Sequence, residues 1–138
     1  MTTQVPTEYQ ECVSFINWCR VYDKNTHDML FHNANEGLRN PRTGRHLKLM
    51  GLKRGYPDYF LAIPNGKYHG LFLEMKRRDG ASKKKNEDQD SVIEKLNKQG
   101  YSAKYVYGWE HARDEVLNYL NFQQMSRCTT CEQNIQQT

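Results

Sequence analysis

Long apolar runs are missing from this chain. The longest aliphatic and aromatic stretch, Tyr59–Ile63, is five residues, far short of the roughly 20 that a membrane-spanning helix needs and of a signal-peptide core. The reading is therefore a cytoplasmic protein, neither secreted nor held in a membrane. A disulfide framework is missing as well. Cys12 and Cys19 fall in a segment that reads as helix, about 10 Å apart along its axis, beyond the roughly 7 Å that a disulfide spans. Cys128 and Cys131 form one C-x-x-C in a polar stretch without the second pair that a zinc site at finger spacing requires. It reads as incidental, and all four cysteines as reduced thiols. The missing His/Cys cluster also disfavours a zinc-dependent hydrolase. Net charge says little: 20 basic residues against 16 acidic ones leave +4 over 138 residues. That length fits one domain, and the placement of the charges matters more than their sum.

What is present is an alternation of elements. Residues 6–22 read as a helix, with Thr7 and Gln10 forming a T-x-x-Q capping box. Tyr9, Cys12, Val13, Ile16 and Cys19 recur at helical spacing and are expected to face the core. Glu8 and Glu11 share a flank near its start. Met29-Leu30-Phe31 reads as a short strand. Residues 32–57 contain four glycines and two prolines and read as a loop, with a helical turn near Arg45–Met50. Within it lie Arg39, Arg42, Arg45, Lys48, Lys53 and Arg54, and no acid stands between Gly37 and Pro57. Asp58–Ile63 and Tyr68–Lys76 read as strands of a hairpin turning at Pro64-Asn65-Gly66. A lysine-rich loop follows over Arg77–Lys85. Glu87–Gln99 reads as a helix closed by Gly100, Tyr101–Tyr107 as a strand and Trp109–Phe122 as a helix. From Gln123 the chain is expected to fray. The sum is a small mixed α/β fold with helices on both faces of a sheet, divided as a domain over 1–122 and a polar tail over 123–138.

The hairpin carries the chemistry. On its second strand Leu71, Leu73 and Met75 point to one face, and Phe72, Glu74 and Lys76 to the other. Buried charges cost several kcal/mol unless paired or metal-bound, and a divalent cation relieves two neighbouring carboxylates. Asp58 converges with Glu74 only if the two oppose each other. A bare Asn65-Gly66 turn puts them on opposite faces, so a three-residue turn, Asn65-Gly66-Lys67, or a bulge is expected. Taken alone, these residues also fit a bland reading, with Asp58 ending a turn and Glu74 and Lys76 forming a solvated pair.

Here the sequence resembles a family. G-Y-P-D-Y-F at Gly55–Phe60, followed by L-F-L-E-M-K at Leu71–Lys76, resembles the P-D…(D/E)-x-K nuclease signature. T-E-Y-Q-E at Thr7–Glu11, H-N-A-N-E-G at His32–Gly37, L-K-L-M-G-L-K-R-G-Y-P-D at Leu47–Asp58 and Y-H-G-L-F-L-E-M-K at Tyr68–Lys76 resemble one branch of it, the VRR-NUC domain nucleases. L-N-K-Q-G-Y at Leu96–Tyr101 and G-W-E-H-A at Gly108–Ala112 extend the likeness to about residues 7–120. The loop between Lys76 and Gln89 is longer and richer in lysine than the family pattern. Cys12 stands where relatives often carry glutamine, which leaves open whether Glu8 or Glu11 is the helix-borne ligand.

The resemblance implies a restriction-endonuclease-like core and a Mg²⁺- or Mn²⁺-dependent endodeoxyribonuclease in a stand-alone, phage-like form, then working in the host cytoplasm. It implies metal held by Asp58, Glu74, the Met75 carbonyl and Glu8 or Glu11, with Lys76 and Gln89 completing the catalytic set. Hard cations of this kind take oxygen ligands. It places His32, Asn35 and Glu36 near the active site. The expected reaction leaves a 5′-phosphate and a 3′-hydroxyl. The cations Arg39, Arg42, Arg45, Lys48, Lys53 and Arg54 before Asp58, with Arg77, Arg78 and Lys83 after Glu74, suit phosphate contacts. Branched DNA such as a Holliday junction, cut by a homodimer, is the first expectation. A general nicking nuclease and a non-catalytic DNA-binding module are the alternatives.

Overall fold

A computed structural model of the chain describes residues 4–34, 40–81 and 86–135, with side chains described as far as 122. Asn35, Glu36, Arg39 and Lys83 lie outside the described residues, as do the side chains of Cys128 and Cys131.

The elements run α1 (Glu8–Tyr22), α2 (Lys24–Asp28), β1 (Leu30–His32), α3 (Pro41–Leu49), β2 (Tyr59–Leu61), β3 (Leu71–Lys76), α4 (Glu87–Lys98), β4 (Ser102–Tyr107) and α5 (Trp109–Ile135). The sheet has the order β1-β2-β3-β4. β1 with β2 and β2 with β3 pair antiparallel, whereas β3 with β4 is parallel, with α4 as the crossover. This is an α/β fold around a small mixed sheet.

Period-two alternation assigns the faces of β3. Leu71, Leu73 and Met75 are at most 1% exposed and pack with Phe15 of α1, Tyr59 and Leu61 of β2, Val106 of β4, and Ala112, Val116 and Tyr119 of α5. Burying each large side chain of this set contributes about 1.5–3 kcal/mol. On the other face Phe60 stacks on Phe72 at 4.3 Å, and Asn97 of α4 pairs its amide with the backbone of Ala103 at 2.9 and 3.0 Å.

Several expectations are corrected. On α1, Cys19 is buried and Cys12 and Ile16 pack against the core as expected, but Glu11 and Phe15 are the other buried residues and Tyr9 and Val13 are 77% and 41% exposed. A buried carboxylate displaces the apolar stripe because its partner lies elsewhere in the chain. The segment read as a loop with a helical turn near Arg45–Met50 holds a longer, nine-residue helix, α3, started by the Asn40 cap and Pro41 and tolerant of Gly44 because none of its residues is buried. α2, unforeseen, is one short turn capped by the Asp23 side chain on the Thr26 amide. The backbone of α5 stays helical to Ile135 instead of fraying at Gln123; no glycine or proline follows Gly108 to stop it.

The hairpin keeps the expected register through a different connection. Tyr59 faces Leu73, Phe60 faces Phe72 and Leu61 faces Leu71, so one further step brings Asp58 opposite Glu74. The strands are joined by a wide loop over 62–70 and not by a three-residue turn. Buried Asn65 holds that loop. Its Oδ1 accepts from the Lys67 and Tyr68 amides at 3.0 and 2.7 Å, and its Nδ2 donates to the Tyr119 carbonyl at 3.1 Å. The turn is thus fixed to α5, not by its own length.

Candidate active site

Asp58 is placed by backbone contacts. Its carbonyl oxygen accepts from Asn33 N–H at 2.7 Å and from His32 Nδ1 at 3.1 Å, so His32 carries its proton on Nδ1. Its carboxylate Oδ2 accepts from Met75 N–H at 2.8 Å. His32, the last residue of β1, therefore has a structural partner in Asp58, just before β2. Upstream, Gly55 adopts φ +82, and a Cβ there would lie 2.6 Å from the Asp88 carbonyl carbon and oxygen. Only glycine lets the chain pass this close to α4 on its way to Pro57-Asp58.

Glu74 is 2% exposed. Lys76 Nζ donates to Glu74 Oε1 at 3.1 Å and to Gln89 Oε1 at 2.9 Å, and Gln89 Nε2 donates in turn to Glu74 Oε1. Gln89 reaches the strand because α4 starts here, with Asn86 Oδ1 capping its amide. Tyr105, paired with Glu74 across β4, lies under Lys76 at 5.7 Å and donates its hydroxyl to Asp90 Oδ1 at 2.6 Å. Neither Tyr105 nor the Asn86 cap was singled out from sequence. The cap was legible as an Asn just before the helix, whereas the parallel register that places Tyr105 was not.

The electrostatics follow from this burial. Desolvation, then the charge of Asp58, push the Glu74 carboxyl up to about 7, against the opposing pull of Lys76 and with a smaller upward push from Glu8. A divalent cation beside Asp58 and Glu74 would relieve both the desolvation and the repulsion. Among the described residues no three His, Cys, Asp or Glu side chains close on one point. Two carboxylates with room for water and phosphate oxygens match how magnesium is bound at phosphate-processing sites, so the donor set fits such an ion. The Met75 side chain is wholly buried, which leaves only its backbone for any such contact.

The two helix-borne acids separate. Both oxygens of Glu11 are taken: Arg78 Nε and Nη2 donate to them at 2.6 and 3.0 Å, and Trp109 N–H at 2.9 Å. Arg78 and the Trp109 amide hold the Glu11 carboxyl below the usual carboxylate range despite its burial. Glu11 therefore anchors α1 to the start of α5, with both of its carboxylate oxygens engaged. Glu8 is the helix acid whose charge reaches Glu74, and it lines a cleft of about 580 Å³ together with Asp58, Cys12 and His32.

The expected cations divide too. Lys48, Lys53 and Arg54 line a second cleft, of about 390 Å³, with Asp58, Glu74 and Gln89. Arg42 and Arg45 stand exposed on α3. Arg78 is committed to Glu11 and to Glu110 at 3.0 Å, and Arg77 to Asp79 at 2.8 Å. The acids that engage Arg78 come from distant parts of the chain, whereas Asp79 is a near neighbour of Arg77. Tyr56 and Leu52, unremarked in the sequence, share the cleft.

No family profile matches the sequence, and no functionally curated protein matches it. A solved structure described as a "VRR_NUC domain protein" does match in three dimensions. Its TM-score is 0.73 at 26% sequence identity, over 86% of this chain and 92% of that one. The resemblance drawn from the motifs and the one drawn from the coordinates coincide: this chain has the fold of a VRR_NUC domain.

Proposed function

We propose that this chain is a metal-dependent nuclease that hydrolyses DNA phosphodiesters. One observation carries the reading: Asp58 and Glu74 open on the same cleft as Lys48, Lys53 and Arg54, with Lys76 and Gln89 bound to Glu74. The fold shared with a VRR_NUC domain protein supports it.

In this reading Asp58 and Glu74, with the Met75 carbonyl and Glu8 beside them, hold Mg²⁺ or Mn²⁺. Bound there, the ion supplies Lewis acidity toward the phosphate and lowers the pKa of a bound water. Lys76 presents its ammonium to the attacked phosphate and stabilises the negative charge that builds on its oxygens. Gln89 accepts from Lys76 and fixes its direction. The water oxygen bonds to phosphorus, the P–O3′ bond breaks, and the released proton balances the 3′-oxygen, leaving 5′-phosphate and 3′-hydroxyl. The cleft cations hold neighbouring phosphates. Branched DNA as preferred substrate and a homodimer as the active form belong to the same proposal; their support is the sequence resemblance.

The test is cleavage of four-way junction, flap, duplex and single-stranded DNA with Mn²⁺ by wild type, Asp58→Ala and Lys76→Ala, alongside melting with and without Mn²⁺. The expected result is cleavage by wild type only, fastest on the junction, and a Mn²⁺-induced rise in Tm that Asp58→Ala loses. Salt-dependent DNA binding without cleavage would establish a non-catalytic module instead. A junction cut no faster than duplex would remove the preference for branches alone.

A further inference from the structure

The segment from Leu49 to Tyr56 does something the acidic pocket does not require. Leu49 and Met50 are 77% and 82% exposed, Leu52 is 36% exposed and Tyr56 37%. They are interleaved with Lys48, Lys53 and Arg54. The shape of this strip is fixed: Leu52 N–H donates to the Leu47 carbonyl at 2.9 Å and Gly51 N–H to the Lys48 carbonyl at 3.0 Å, with Gly51 at φ +105. That is a Schellman ending to α3. It projects Leu49 and Met50 from a helix that buries no residue.

The strip also lies between two clefts. Lys53, Arg54 and Tyr56 line the cleft of about 390 Å³ that contains Asp58 and Glu74. The same three residues line a neighbouring cleft of about 350 Å³ that runs along α4 past Ser91, Val92 and Lys95. A track therefore leads away from the acidic pair, with cations and apolar surface alternating along its wall. Asp88 is the acid common to both clefts.

We propose that this track receives an unpaired stretch of DNA strand next to the scissile phosphate, with Tyr56 and the Leu49–Leu52 tip against its bases and Lys48, Lys53 and Arg54 on its phosphates. The chemistry favours this occupant. Cations alone would serve a duplex backbone, whose base faces are hidden in the stack. Apolar and aromatic side chains gain contact only when a base face is open, and alternation with cations matches the base-and-phosphate repeat of a single strand. The exposed tip has a further use at a branch, where an apolar side chain can cover the last base pair. The proposal rests on the nuclease reading only for which strand is cut; the binding it describes stands apart from hydrolysis.

The test is binding of the full chain, in Ca²⁺ so that strands stay intact, to a paired duplex and to the same duplex with a short single-stranded flap. The flap carries 2-aminopurine beside the junction, and Mn²⁺ cleavage is scored separately. Wild type is expected to bind the flap about 10-fold more tightly than the duplex and to change 2-aminopurine fluorescence. Tyr56→Ala and the pair Leu49→Ser with Met50→Ser are expected to bring that ratio toward one, and Tyr56→Phe to keep it. Variants are compared at matched folded fraction by thermal melting. Equal binding of flap and duplex by wild type would overturn the proposal, as would a ratio unchanged in both variants. Loss of self-association in the Leu49→Ser, Met50→Ser variant would also overturn it, assigning the tip to a contact between copies. Failure to cleave with an intact flap preference would count against the nuclease reading alone.

Discussion

Arg78 grips both carboxylate oxygens of Glu11, at 2.6 and 3.0 Å, across the fold. Glu11 also accepts from the first amide of α5, so one buried acid ties three elements: the first helix, the segment after β3 and the last helix. Two residues singled out in the sequence for metal and DNA, Glu11 and Arg78, thus also hold the scaffold together.

That tie makes stability depend on acid in a defined window. The folded carboxyl of Glu11 titrates below its ordinary 4.5. The stabilisation it supplies is complete above the unfolded value near 4.5 and is lost as pH falls through the lower folded value. Glu11→Gln is expected to cost about 2 kcal/mol at pH 7, less than a wholly buried pair because the Arg78 side chain is 39% exposed. Urea unfolding at pH 7 and pH 3 checks this: the gap between wild type and variant should narrow in acid.

Gln89 receives the Lys76 ammonium and donates to Glu74. Gln89→Ala should leave DNA binding in Ca²⁺ close to wild type and slow cleavage about 10- to 100-fold, the size typical for a residue that orients a ligand or catalytic group. Single-turnover cleavage with excess enzyme separates the two effects.

The cleft cations predict a salt signature. Replacing Lys48, Lys53 and Arg54 together by alanine should lower the slope of log Kd against log salt by about 2–3, one phosphate contact each. Arg78→Ala should leave that slope in place, since its guanidinium is committed to Glu11 and Glu110. Titrations at several salt concentrations distinguish the two groups.

Gly55 predicts a local effect on the site. An alanine Cβ there meets the Asp88 backbone at 2.6 Å, and the backbone is left-handed. Gly55→Ala should therefore destabilise by at least about 1 kcal/mol, seen in urea unfolding, and slow cleavage by displacing the approach to Asp58.

Much of this was legible in the sequence because it is local or periodic. The alternation along Leu71–Lys76 assigned both faces of β3, and the requirement that Asp58 oppose Glu74 set the register that the sheet adopts. What escaped reading depends on contacts between distant residues. Burial of Glu11 needs Arg78, the wide 62–70 loop needs the Asn65 bond to Tyr119, and the place of Tyr105 needs a parallel crossover. α3 was legible only in its second half, as a turn near Arg45–Met50: none of its residues is buried, and Pro41 and Gly44 read as loop although the capping Asn and the proline mark its start.

The central position of β3 has a consequence for motion. Hydrogen-bonded to β2 on one edge and β4 on the other, it is the strand whose amides should exchange with deuterium slowest. α3, which buries nothing, should exchange among the fastest. The carboxylate-bearing strand should then hold its groups in place even where the helix beside its cleft exchanges quickly, so the anchoring of the acidic pair does not depend on α3.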